Sequence, residues 1–316
     1  MTEAYVNRLA SALGGRQASV DDSARVGLLA SAPELLREAG FEYHHLSSQG
    51  TTAYDLAHTA VKKLGKLEQI STVIYATCLP LNGNLGDTER FTSSRDVKHL
   101  MDFPVSHLQA DFGLEDADVI GLNQQACTSL LGSLRLARSL LISEPAARGI
   151  LCVTSDRFPP GAIYEQAYNL ISDGAAACLV TRKPGGFRIV ATHAIANGAL
   201  ARASDDEVVG SFFSYMHKLI TETLARAGMS IGEVAWIIPQ NMNRNAWKIL
   251  SRLIEFDADR VCFDSMPAVG HIISADNIVN LQRLDESGRI QAGDRLLLVM
   301  AGFGLNWQAV VLEKCQ

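Results

Sequence analysis

The sequence predicts an α/β protein made of two similar halves. Three observations carry this. Six short apolar, β-branched runs read as buried strands of a mostly parallel sheet: 71–76, 117–122, 149–154, 175–180, 235–238 and 295–300. Amphipathic segments lie between several of them, and that alternation argues α/β architecture. The turn Lys183-Pro184-Gly185-Gly186 then divides the chain into 1–184 and 185–316. Each part contains a strand, a short polar loop and a helix with a chemically capable residue near its start.

The elements follow in order. In the first half, the strand at 119–122 runs through Asn123, Gln124, Gln125 and Ala126 to Cys127. A helix follows, with Leu130, Leu131, Leu134, Ala137 and Leu141 on one face and Arg135, Arg138 and Ser139 off it. In the second half, 212–227 is a helix stopped by Gly228, and 245–256 is another. A strand at 261–263 leads through Pro267 and Gly270 to His271. The segment 79–106 is irregular, with Asn82, Gly83, Asn84, Gly86, Asp87, Ser93 and Ser94. A loop of that length is functional or mobile.

Composition removes whole classes of function. The 316 residues are 47% hydrophobic, enough for a large core and too much for a disordered chain. The formal charge of −6 leaves no basic excess to follow a phosphate backbone, so nucleic acid is not an expected partner. No run approaches the ~18–20 apolar residues of a membrane span. Residues 1–14 hold Glu3 and Arg8 and do not read as a signal peptide. There is no GxGxxG, P-loop or HExxH pattern, which leaves dinucleotide, nucleotide and zinc-protease readings without support. The six cysteines, Cys78, Cys127, Cys152, Cys178, Cys262 and Cys315, show no CxxC spacing and are too sparse for a disulfide scaffold. No metal site and a reducing, cytoplasmic compartment are therefore expected.

Two residues stand out chemically. Cys127 sits at a strand-to-helix junction, where backbone N–H groups favour a thiolate. A thiolate attacks thioesters and leaves readily, which suits acyl transfer. The same position also suits a small buried hydrophobe. His271 follows Gly270, and Asp276 lies five residues on, roughly a turn and a half of helix. A bend there brings the carboxylate to the imidazole as the third member of a Cys-His-Asp relay. The alternative is a helix-start histidine with Asp276 favouring the helix dipole. The Ser172-Asp173-Gly174 and Gly302-Phe303-Gly304 segments let backbone approach a ligand closely, as an oxyanion hole requires.

Taken together these segments resemble the thiolase superfamily, and within it β-ketoacyl-ACP synthase III. Gln125-Ala126-Cys127 with the following helix resembles the family's nucleophile segment. Ser172-Asp173-Gly174-Ala175 resembles its Gly-Asp-Gly-Ala element. Pro239-Gln240-Asn241-Met242-Asn243 resembles Pro-His-Gln-Ala-Asn, and Gly270-His271-Ile272-Ile273-Ser274 resembles Gly-Asn-Thr-Ser. The strand from Arg295 and the turn at 302–304 resemble the closing strand and oxyanion turn. The order is colinear from about Val73 to the C-terminus. The resemblance implies a five-layer α-β-α-β-α sandwich of two similar halves.

It also implies a shifted chemistry. Ketosynthases of the family use Cys, His and Asn. Here Gln240 stands where that His belongs, and His271 where that Asn belongs. His271 with Asp276 resembles an acyltransferase branch from natural-product pathways. In that branch an acyl group leaves a carrier or CoA thioester for an alcohol, amine or carrier thiol, without decarboxylative condensation. The implied roles are Cys127 as nucleophile, His271 as base and Asp276 as its orienting group. The N–H groups of Cys127 and Phe303 are the implied oxyanion donors, Asn243 positions the donor substrate, and Gln240 either positions substrate through the substrate's carbonyl or fills space. The other five cysteines read as structural thiols. No bound cofactor is implied; a phosphopantetheine thioester is the donor. An acyl carrier protein is the expected partner, with Arg135, Arg138, Arg244 and Arg252 available to an acidic carrier, beside a small-molecule acceptor and a homodimeric state. Two other readings stay open: a condensing enzyme with a rearranged site, and a non-catalytic partner subunit.

Overall fold

The computed structural model describes residues 3–167, 169–302 and 305–316. Nine strands of these residues join one sheet: β1 (Tyr5–Leu13), β2 (Ile70–Ala76), β3 (Asp118–Leu122), β4 (Gly149–Asp156), β5 (Gly174–Thr181), β6 (Phe187–Ala196), β7 (Trp236–Ile238), β8 (Arg295–Gly302) and β9 (Asn306–Lys314). Their order is β7-β8-β9-β6-β1-β5-β4-β2-β3. The junction of β1 and β6 is thin. Only Tyr5 opposite Arg188 and Val6 opposite Phe187 are paired there. A five-stranded and a four-stranded half-sheet thus meet at a two-residue seam.

The sheet is mixed, which corrects the mostly parallel expectation. β2 runs parallel to β3 and β4, and β7 parallel to β8. β5 runs antiparallel to β4 and β1, and β9 antiparallel to β6 and β8. The cause is connection length. β8 and β9 are separated by 303–305, far too short for the crossover that parallel strands need.

Helices α1 (Ala53–Lys63), α2 (Ser129–Ser143), α3 (Asp205–Ala227), α4 (Arg244–Leu253) and α5 (Asp276–Glu286) complete the layers. α1 packs on β1, β4 and β5; α3 packs on β6 and β9, with α4 beside it. α2 and α5 lie between the half-sheets, touching strands of both. The result is the five-layer α-β-α-β-α order.

Strand alternation explains the apolar runs. In β5, Ala175, Ala177 and Leu179 face the α1 side, while Ala176, Cys178 and Val180 face the central layer. In β8, Leu297 and Val299 face α3 and α4, while Leu296, Leu298 and Met300 face the centre. A strand buried on both faces has no polar face to show, so it reads as a continuous run. Each fully buried leucine or valine contributes roughly 1.5–3 kcal/mol. Among the described residues no helix is long and apolar enough to cross a membrane.

Two local expectations change. The strand placed at 261–263 reduces to a single bridge, Val261 with Ile237, because a 3-10 turn at Ala258–Arg260 enters it and the chain leaves at once toward Met266. The helix from 245 ends at Leu253, with Glu255 in the left-handed region.

Candidate active site

Cys127 lies in a 3-10 turn, Ala126–Thr128, that runs directly into α2. The turn is strained: Gln124 and Ala126 both have positive φ without being glycine. Surrounding groups hold it. Gln308 Nε2 donates to Gln125 Oε1 at 2.8 Å and to Thr128 Oγ1 at 3.1 Å. Thr128 Oγ1 donates to Gln125 O at 2.7 Å, and Ser274 Oγ to Ala126 O at 3.2 Å. The end of β8 closes over it. A Cβ on Gly302 would stand 2.9 Å from Gln125 O and 3.1 Å from Cys127 N. Cys127 is 6% exposed.

His271 is fixed by its backbone. Its N–H donates to Leu170 O at 2.7 Å, and its carbonyl accepts from Ser172 N at 2.8 Å. The preceding Gly270 has φ 66° and ψ −156°, a region open only to glycine, and a Cβ there would press on Leu170 O. His271 precedes the helix rather than starting it; α5 begins at Asp276. His271 Nδ1 and Asp276 Oδ2 are 2.5 Å apart and buried. Asp276 Oδ1 accepts from Ile272 N at 2.6 Å, and Oδ2 also accepts from Asn241 N at 2.7 Å. The imidazole and the Cys127 thiol shift each other's protonation. All three groups are buried: Asp276 is bonded to His271, and His271 is coupled electrostatically to Cys127 in a row of linked charges.

Electrostatics follow this row. The Cys127 thiol is held below its ordinary range, first by a hydrogen bond from Cys78 and then by the hydrogen bond and charge of His271; burial opposes both. Burial pulls His271 down, but the charge and hydrogen bond of Asp276, with Cys127, outweigh it and lift the imidazolium to about 10. A thiolate beside an imidazolium is a nucleophile beside a proton donor, the pair that opens a thioester.

The remaining candidates occupy nearby ground. Gln240 Oε1 accepts from Ala301 N at 3.1 Å, one residue before Gly302. Asn243 caps α4, its Oδ1 accepting from Asn245 N at 2.9 Å. Phe303, expected as an oxyanion donor, lies with Gly304 outside the described residues. Arg244 is half-buried with its guanidinium 5.7 Å from the Phe263 ring, whereas Arg135 and Arg252 are exposed and Arg138 is half-buried. Among the described residues no group of three or more His, Cys, Asp or Glu side chains is placed to hold a metal ion.

Sequence reasoning missed three contributors. Asn241 is fully buried; its N–H reaches Asp276 and its Nδ2 donates to Gly270 O at 2.8 Å. Asn280 Nδ2 donates to Asn241 Oδ1 at 2.9 Å. Cys78, read as structural, places its Sγ 4.0 Å from Cys127 Sγ. Strand register carries the signal for Cys78. β2 and β3 are parallel neighbours with Ala76 opposite Leu122, so residues just past both ends converge.

This layering, with a cysteine at the start of one central helix and a histidine before the other, defines a thiolase-like protein. A family model described as 3-oxoacyl-[acyl-carrier-protein] synthase III matches residues 123–198, and its C-terminal counterpart matches 224–314. The chain is therefore a synthase III-like member of the thiolase superfamily. The β-ketoacyl-[acyl-carrier-protein] synthase III of Chlamydia caviae is 24% identical over 290 residues, 82% of this chain and 81% of that protein. That of Rhizorhabdus wittichii is 23% identical and covers 99% of this chain and 100% of that one. Among solved structures, ChlB3, described as an acyltransferase, aligns with TM-score 0.83 at 18% identity, covering 99% of this chain and 98% of that chain. The Thermus thermophilus synthase III aligns with TM-score 0.82 at 21% identity, covering 98% of each. At these identities the structural likeness establishes the fold.

Proposed function

We propose that the protein is an acyltransferase that moves an acyl group through a Cys127 thioester to an alcohol, amine or carrier-thiol acceptor, without decarboxylative condensation. The observation that carries this is His271, hydrogen-bonded to Asp276 and electrostatically coupled to the buried Cys127. Gln240 supports it: by resemblance it stands where the family's catalytic His belongs, and it is a neutral amide tied to Ala301 N.

The steps follow from the groups present. The Cys127 thiolate attacks the carbonyl carbon of an acyl-carrier or acyl-CoA thioester. The Cys127 N–H, with that of Phe303 by resemblance, stabilises the oxyanion. The departing thiolate takes its proton from His271. The acceptor then gives a proton to neutral His271 Nε2 and attacks the acyl-enzyme, and Cys127 leaves as thiolate. Asp276 keeps the imidazole in the tautomer that serves both steps. No bound cofactor enters the scheme.

A carrier partner fits the family, with Arg135 and Arg252 exposed for acidic contacts. A homodimer fits β3, an edge strand with Val119 exposed, and the exposed Leu81, Val97, Met101 and Phe103 of 79–106. Relatives named as condensing synthases favour a second reading, in which the rearranged site still condenses.

Intact-mass measurement with a panel of acyl-carrier and acyl-CoA thioesters, including malonyl, tests the proposal. The expected result is acylation of wild type but not of Cys127→Ala, then transfer to an acceptor with no CO2 released. A condensed β-keto product with CO2 release establishes the second reading. No acylation by any donor points to a non-catalytic subunit.

A further inference from the structure

Cys78 follows β2 in a turn that a single buried carboxylate organises. Asp156, at the end of β4, accepts from Thr77 Oγ1 at 2.7 Å, Cys78 N at 3.0 Å, Leu79 N at 2.9 Å and Asn82 Nδ2 at 3.1 Å. Four donors on one carboxylate leave that turn little freedom. It holds a half-exposed thiol 4.0 Å from the Cys127 sulfur. A disulfide is about 2.05 Å long, so side-chain rotation has roughly 2 Å to close.

We propose that Cys78 and Cys127 are a reversible redox pair: a peroxide converts them to a disulfide that blocks the nucleophile and shields it from irreversible oxidation. Peroxide oxygen adds to the Cys127 thiolate, the O–O bond breaks, and a sulfenic acid and hydroxide result. The Cys78 sulfur then attacks that sulfur. The S–S bond forms, the S–O bond breaks, and the Cys78 proton leaves with the oxygen as water. In total two thiols and one peroxide give one disulfide and two waters. A dithiol reverses this by exchange and is itself oxidised.

The residues divide the labour. Cys127, with its lowered thiol, is the sulfur that attacks peroxide. Cys78 resolves. A second thiol pair provides an internal contrast. Cys152 and Cys178 are cross-strand partners in β4 and β5, both fully buried, and the neighbouring Cys178 thiol together with burial raises the Cys152 thiol well above its ordinary range. Both are cysteine pairs, but Cys152 and Cys178 are sealed from solvent, whereas the partly exposed Cys78 opens its pair to peroxide.

The block on acylation rests on Cys127 being the acyl acceptor; the disulfide itself does not. The reduced protein is treated with hydrogen peroxide, trapped with iodoacetamide and mapped by non-reducing peptide mass spectrometry. Wild type is expected to yield a peptide pair linked through Cys78 and Cys127, 2 Da below the two thiols. Its Cys127 labelling returns fully after dithiothreitol. Cys78→Ser and Cys78→Ala are expected to accumulate Cys127 sulfinate, with recovery reduced at least tenfold. Circular dichroism checks that both variants fold. Wild type accumulating sulfinate as fast as the variants, or linking Cys152 to Cys178 instead, overturns the proposal. A linked pair in a protein that no thioester acylates keeps the redox pair and sinks the transferase reading.

Discussion

Asp276 Oδ2 serves two masters, His271 Nδ1 at 2.5 Å and the Asn241 N–H at 2.7 Å. Oδ1 takes the Ile272 N–H, so the carboxylate cannot rotate without breaking a bond. Asp276→Asn keeps the shape but puts an NH2 where an acceptor is needed. Transfer from a carrier thioester is expected to fall by roughly 10³-fold. The same variant lowers the His271 pKa, because the charge and hydrogen bond of Asp276 are what raise it. Single-turnover acylation, with alkylation rates at pH 6 beside it, checks both effects.

The pH dependence has a definite sign. With Cys127 held low and His271 raised to about 10, alkylation of Cys127 should already be fast at pH 6. Acylation needs the imidazolium, so it should decline as pH passes about 10. The stability that His271 protonation contributes is complete below its ordinary pKa of about 6.5 and lost as pH rises through the raised value. Melting curves from pH 7 to 10.5 should therefore fall more steeply for wild type than for His271→Gln. Equal slopes refute the coupling.

Gly302 gives a third prediction. An alanine there meets Gln125 O and Cys127 N inside normal contact distance, and both belong to backbone. Gly302→Ala must push the nucleophile turn away from β8. Acylation should drop roughly 10²-fold, the scale of losing one oxyanion donor. Circular dichroism should remain that of a folded protein.

Asp156→Ala removes the acceptor shared by Thr77, Cys78, Leu79 and Asn82. Each buried donor left alone costs about 1–3 kcal/mol, and water entering the gap recovers part of this. A destabilisation of about 3 kcal/mol is expected in urea unfolding. Burial also raises this carboxyl to about 6, against its four donors. Its raised pKa gives a stability contribution that is complete below its ordinary 3.8 and lost as pH rises through 6. Wild type should lose more stability than Asp156→Asn between pH 4 and 7.

Much of this was legible because burial on both faces writes apolar runs, as in β4, β5 and β8. β1, with Asn7 and Arg8 inside it, has no such run. β6 and β9 carry histidine, glutamine and glutamate, and they become strands by pairing with each other. The position of Cys127 before a leucine stripe and the five-residue step from His271 to Asp276 are local facts. Asn241 and Cys78 are not local. Their contacts depend on which strands lie side by side, and register between distant segments is invisible in a single chain.

The two-residue seam between β1 and β6 has a consequence for assembly. Cys127 arrives with the five-stranded half-sheet, and His271 and Asp276 arrive with segments after the seam. So little strand pairing spans the two sides that their alignment is the work of α2 and α5, each of which packs on strands of both half-sheets. The reactivity of one thiol is then a gauge of the whole molecule. A chain cut in the 182–186 turn would yield pieces that are each inert, and acylation would return only on their reunion.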